Sequence, residues 1–287
     1  ILVGSGCGEP GSESVASTAE DSGLAPTIEG SADLPVWFEE DAMGRGLRFQ
    51  LEATLAETPR LPEIVPGGGA AFDFDDDGWM DVVLLQATGE GGSRLFRNLG
   101  EGRFEDVTNG SGLEGNGFGM GAATGDYDQD GDVDLFVSNF GPDQLFRNEG
   151  GGRFTDVTSV AGVGHSGFGA SATFFDGDQD GDLDLFVTNY VDWSEPIELE
   201  CRNRTGRLDY CPPVRYESPT SDVLHRNNGD GTFTDVSVES GIAGSHGTGL
   251  GVVARDFNGD GLPDVFVAND GMPDHLWMNR GGLRFEE

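Results

Sequence analysis

The chain contains no lysine. Its 16 basic residues are all arginine and stand against 52 acidic ones, a formal net charge of −36 over 287 residues. Such an excess repels phosphate backbones and anionic lipid surfaces, which excludes nucleic acids and bare membranes as partners. Long apolar runs are also missing: no stretch approaches the roughly 18 residues of a membrane-spanning helix. Histidine is scarce, with four, and none forms an H-E-x-x-H pattern; G-x-S-x-G is absent too. The Gly-rich segments are not followed by helical periodicity, so they do not cradle a nucleotide phosphate. Cysteine is limited to three. Cys201 and Cys211 are expected to form a disulfide, a bond that persists in oxidising compartments, while Cys7 stands alone.

Aspartate and glycine are abundant, and they are ordered. Four loops fit D-x-[DN]-x-D-G-x-x-D: DFDDDGWMD at 73–81, DYDQDGDVD at 126–134, DGDQDGDLD at 176–184 and DFNGDGLPD at 256–264. Crowded carboxylates repel, and a hard cation offsets them. Calcium takes about 6–8 oxygen ligands in a flexible geometry, whereas magnesium demands a stricter octahedron and soft metals want Cys or His. The expected donors of the first loop are the side chains of Asp73, Asp75, Asp77 and Asp81 with the carbonyl of Trp79. Those of the second are Asp126, Asp128, Asp130 and Asp134 with the carbonyl of Asp132, and those of the third Asp176, Asp178, Asp180 and Asp184 with the carbonyl of Asp182. The fourth offers Asp256, Asn258, Asp260 and Asp264 with the carbonyl of Leu262, and departs from the others at Asn258 and Pro263. Glycine at the sixth position permits the sharp turn. About four structural calcium ions are expected, one for each loop.

The loops recur about every 50 residues, except for a longer last interval that holds an insertion at 191–220 with both Cys201 and Cys211. Each lies in one grammar: a Gly-rich strand, the loop, an apolar strand such as DLFVSN, a third strand such as DQLFRN, a Gly-rich turn and a short RFTDVT strand. Four-stranded repeats of this kind predict an all-β fold, a β-propeller of antiparallel blades. A calcium β-roll has a far shorter repeat, and tandem EF-hands would need flanking helices. Residues 34–287 form the repetitive body; 8–33, rich in Gly, Ser and Glu, are expected to be a disordered tether; and 1–7 read as the tail of a secretion signal with a lipobox, which makes Cys7 a candidate lipidation site. The chain begins without Met and stops inside a final short strand, so it reads as truncated at both ends.

These residues resemble the FG-GAP/VCBS repeat, the blade of integrin α-subunit propellers. In LPEIVPGGGAAFDFDDDG, the cysteine-bounded CRNRTGRLDYCPP and DVLHRNNGDGTFTDVS, the chain is similar to the ASPIC/UnbV-associated, cartilage acidic protein-like family. The resemblance implies four visible blades of a seven-bladed ring. It also implies an extracytoplasmic protein, secreted or held at the cell surface as a lipoprotein, that binds a surface protein or glycan without catalysis. The alternative is a calcium-dependent polysaccharide lyase or hydrolase, which needs a base beside the cation. His165, His246, His225 and His275 are more simply explained by packing or surface placement, and burial is expected for Trp79 and Trp277 but not for Trp193 in the insertion.

Overall fold

The computed structural model describes residues 40–52, 59–64, 66–87, 92–114 and 117–287. The proposed signal remnant with Cys7 and the tether lie outside the described residues, as does the start of the repetitive body. From Asp41 to Glu287 the chain forms one compact unit.

That unit is all-β and built from four similar antiparallel sheets. The first contains β1 (Gly69–Phe72), β2 (Asp81–Leu84), β3 (Arg94–Asn98) and β4 (Phe104–Asp106). The second contains β5 (Phe118–Gly125), β6 (Asp134–Pro142), β7 (Gln144–Asn148) and β8 (Phe154–Asp156). The third takes β9 (Ser166–Phe175) and β10 (Asp184–Asn189), and is completed after the insertion by β13 (Val223–Asn227) and β14 (Phe233–Asp235). The insertion carries its own hairpin, β11 (Cys201–Arg202) and β12 (Leu208–Asp209). The fourth contains β15 (Gly249–Arg255), β16 (Asp264–Asn269), β17 (His275–Asn279) and β18 (Phe285–Glu286). The ends of β6 and β9 also pair, Phe140 opposite Phe168, which joins the second and third sheets into one.

Period-two alternation explains why each sheet needs a neighbour on both faces. Along β6, Leu135 and Val137 enter a core shared with Phe74, Val83 and Leu95 of the first sheet, while Phe136 between them enters a core shared with Leu185 and Val187 of the third. Phe186 of β10 points the other way, toward Val265, Val267 and Trp277 of the fourth. Three apolar cores thus fill the three gaps between successive sheets. First strands approach one another so closely that side chains are excluded: a Cβ on Gly121 would come within 2.4 Å of the Ala170 carbonyl oxygen. In the fourth sheet Val253, Phe257 and Leu276 are exposed.

Residues 41–47 fold as a turn whose Arg45 carbonyl accepts the Phe104 N–H at 2.7 Å. Ser111 makes the same 2.7 Å contact with Phe154 one sheet later. Trp277 is buried as expected, but Trp79 is 52% exposed, because its loop lies at the rim rather than in a gap between sheets. His225 and His275 are buried in third strands; neither ring nitrogen of His225 has a partner, so burial holds it neutral, its pKa pushed down to about 4. His165 and His246 are exposed.

Candidate metal centres

Each Asp-rich loop links the first strand of a sheet to the second, and all four share one hydrogen-bonded frame. The carboxylate at position 1 accepts the N–H of the glycine at position 6: Gly78 to Asp73 at 2.8 Å, Gly131 to Asp126 at 3.1 Å, Gly181 to Asp176 at 3.1 Å and Gly261 to Asp256 at 2.9 Å. At position 5, Asp77, Asp130, Asp180 and Asp260 each accept the N–H two residues on, at 2.9 Å, from Trp79, Asp132, Asp182 and Leu262. The backbone at position 4 is left-handed in Asp76, Gln129 and Gln179, and a glycine, Gly259, takes that place in the fourth loop. The position-6 glycines are left-handed too, and a Cβ there would meet nothing, so their φ angle rather than space demands glycine.

Position 9 does different work. Asp81, Asp134, Asp184 and Asp264 are almost wholly buried. One oxygen of each accepts the N–H of loop position 2 (Phe74, Tyr127, Gly177, Phe257) at 3.0–3.1 Å. The other accepts the N–H of the asparagine ending the third strand (Asn98, Asn148, Asn227, Asn279) at 2.7–2.9 Å. Burial pushes Asp134 and Asp184 up to about 7 despite these donors.

Position 3 carries the unsatisfied oxygens. Asp75 Oδ1, Asp128 Oδ1 and Asp178 Oδ1 are buried and have no hydrogen-bond partner, and neither does Asp176 Oδ1. Burial raises all three position-3 carboxyls above the usual range, and neighbouring carboxylates add to this. Carboxylate oxygens of Asp73, Asp75 and Asp77, of Asp126, Asp128 and Asp134, and of Asp176, Asp178 and Asp180 converge to within 4.8 Å in each group. Each group could hold a metal ion: the donors are all oxygen and several are otherwise unsatisfied. In the first loop Arg97 also pairs with Asp75 at 2.7 Å and with Asp77 at 3.2 Å.

The fourth loop is self-contained. Asn258 accepts the Asp260 N–H at 2.7 Å and donates its own amide to Asp260 Oδ2 at 2.8 Å. Backbone N–H groups, Gly261 first, hold Asp256 below the ordinary carboxylate range. Among the described residues no group of three acidic oxygens converges there.

Two contacts were hidden from sequence reasoning. The third-strand asparagines reach back to the preceding sheet's loop: Asn148 donates to the Phe74 carbonyl, Asn227 to Tyr127 and Asn279 to Gly177, each at 2.8 Å. Position-4 glutamines reach forward, Gln129 donating to the Gly181 carbonyl at 3.0 Å and Gln179 to that of Gly261 at 2.5 Å. The LFRN, LHRN and LWMN endings repeat visibly, but their partners lie in a different repeat. Cys201 and Cys211 form a disulfide with a Cα–Cα distance of 5.3 Å, closing the insertion on itself.

Residues 73–137, 126–187 and 203–267 match the FG-GAP-like repeat. Cartilage acidic protein 1 of Homo sapiens is 36% identical over 69 residues, which cover 23% of this chain and 10% of that protein. The Mus musculus protein is 35% identical over the same length, 11% of its own chain. The matched segment thus spans about a tenth of these relatives. A solved Agrocybe aegerita lectin, described as recognising non-reducing terminal N-acetylglucosamine, superposes with a TM-score of 0.43 at 18% identity, covering 78% of this chain and 52% of the lectin.

Proposed function

We propose, from the premise that this chain belongs to the FG-GAP-like repeat family, that it is a calcium-stabilised, extracytoplasmic binding scaffold without catalytic activity. The observation that carries the reading is the set of buried, unpartnered oxygens of Asp75, Asp128 and Asp178, each inside a group of converging carboxylates. Calcium satisfies those oxygens, relieves the repulsion, and stiffens the corner between first and second strands. Binding to the native state alone stabilises it by mass action.

The four sheets are read as consecutive blades of a propeller, since the same interface recurs three times and the exposed Phe257 occupies the position that Phe74 and Tyr127 bury in the next sheet. Recognition of a surface protein or glycan falls to the loops at the other ends of the strands, above all the disulfide-closed insertion. That disulfide supports an oxidising compartment. A lyase or hydrolase would need a base beside the ion. His225 and His275 are buried in third strands, and His165 lies at the far end of the ten-residue β9 from the third loop, on the order of 30 Å away. Thermal unfolding with and without a chelator tests the reading. Calcium should raise the melting temperature by several degrees, and indifference to chelation would remove its basis.

A further inference from the structure

We infer that the cleft between the second and third sheets, beside the insertion, is a binding subsite for one neutral sugar ring of a glycan. The inference rests on the scaffold reading above and goes beyond it by naming a site and a ligand chemistry.

The cleft has a volume of about 280 Å³, just under the roughly 300–1,000 Å³ of drug-sized ligand sites and in keeping with a single ring. Its apolar side is an aromatic cluster: Phe140 packs edge-on against Phe168 at 5.1 Å and against Trp193 at 5.3 Å. The indole of Trp193 is pre-positioned, because its Nε1 donates to Glu198 Oε2 at 3.0 Å. That carboxylate also accepts the N–H groups of Leu61 at 3.0 Å and Leu199 at 2.9 Å and the hydroxyl of Tyr216.

The polar side is Asn189, which is 1% exposed. Its Nδ2 donates to the Ser221 carbonyl at 3.2 Å, while its Oδ1 is buried without a partner. The repeat shows two states of this position: Asn139 Oδ1 of the second sheet is likewise buried without a partner, and of the three asparagines only that of the fourth sheet has one. In the fourth sheet the equivalent Asn269 Oδ1 accepts the Thr248 N–H at 2.8 Å. In the third sheet Phe168 occupies the Thr248 position, and it is registered instead against Phe140 of the preceding sheet. The Asn189 acceptor is thereby left for an incoming donor. It converges with His165 on Gly167, where a Cβ would lie 2.9 Å from Asn189 Oδ1 and 3.2 Å from His165 Nε2.

An aromatic wall beside a fixed acceptor and an exposed imidazole suits a ring with one C–H face and one hydroxyl or amide N–H edge. The net charge of −36 and the exposed Asp192 on the rim disfavour an acidic sugar.

The test is a saturation-transfer NMR titration of the calcium-loaded chain with methyl glycosides of glucose, galactose, N-acetylglucosamine and N-acetylgalactosamine, and with glucuronic acid. At least one neutral glycoside should bind, with an affinity on the order of 1 mM, and glucuronic acid should not. Trp193→Ala should weaken binding about tenfold or more, His165→Ala less, and Gly167→Ala should abolish it. Melting temperatures in calcium identify any variant that misfolds, and the surface variant His165→Ala then carries the test. Binding undiminished in all three variants would place the sugar elsewhere. Failure of every neutral glycoside, glucuronic acid binding as well as they do, or occupation of the cleft by an apolar peptide instead would each overturn the inference. A calcium-dependent melting temperature in the same samples keeps the scaffold reading standing in those cases, so the two failures are distinguishable.

Discussion

At the residue scale, positions 3 and 9 of the Asp-rich loops carry opposite expectations. Asp128 Oδ1 is buried, unpaired and surrounded by carboxylates, so it opposes folding until a cation arrives. Asp128→Asn should therefore melt at or above the parent in chelator and several degrees below it in calcium. Asp134 already satisfies two buried N–H groups, from Tyr127 and Asn148. Asp134→Ala should destabilise by about 2–6 kcal/mol in chelator, because each of two orphaned donors costs about 1–3 kcal/mol, and by more in calcium, because Asp134 also belongs to the second converging group. Paired thermal melts of the two variants check the difference. The motif announces all nine positions, yet it does not separate a ligand from a frame residue; that needs the partner N–H groups. Asn258 shows the same limit. It fits the motif, but its amide supplies the donor that the other loops lack.

Buried carboxyls outside the loops give the pH dependence. Burial pushes Asp143 up to about 8 and Asp222 up to about 7, from an ordinary value of 3.8. A raised carboxyl binds more protons folded than unfolded, so its contribution is fully present below about 3.8 and is lost progressively as pH rises to about 7 for Asp222 and about 8 for Asp143. His225 has the opposite sign: held near 4, it costs stability only below about 6.5. In saturating calcium the melting temperature should fall from about pH 4 to about pH 8, more gently below 6.5 where His225 opposes the fall, and Asp143→Asn with Asp222→Asn should flatten it. A slope unchanged in the double variant would show these carboxyls to be ionised in the fold.

At the element scale, strand existence, order and facing were legible because the alternation in DLFVSN and DLFVTN is strict and the turn glycines are regular. Which sheet each face meets was not, since that is decided by neighbours about 50 residues away. The third-strand asparagines are the clearest case. Asn148, Asn227 and Asn279 staple one sheet to the loop before it, whereas Asn98 donates its amide to Met80 of its own loop at 2.9 Å. Alanine at Asn227 should cost about 1–3 kcal/mol, with a smaller loss at Asn98, measured by denaturant unfolding. Equal losses would show that the reach to the preceding loop adds nothing. Trp79 was misplaced for a related reason: an aromatic in a period-two context reads as core, but its loop sits outside the alternating strands, and the indole lies over the turn at Gly100.

At the scale of the whole molecule, a charge of −36 on 287 residues governs how fold and metal depend on one another. Without cations, self-repulsion opposes the compact state. Added sodium chloride should then raise the melting temperature in chelator and matter much less in calcium, because the Debye length falls from about 10 Å at 0.1 M to about 3 Å at 1 M salt. The most direct measurement of the central claim is a calorimetric titration of calcium into the chelator-stripped chain. Three sites are predicted, one for each converging carboxylate group, and the fourth loop, where no such group converges among the described residues, should not fill in the same concentration range. An absence of binding heat across temperatures, with no accompanying rise in melting temperature, would contradict it.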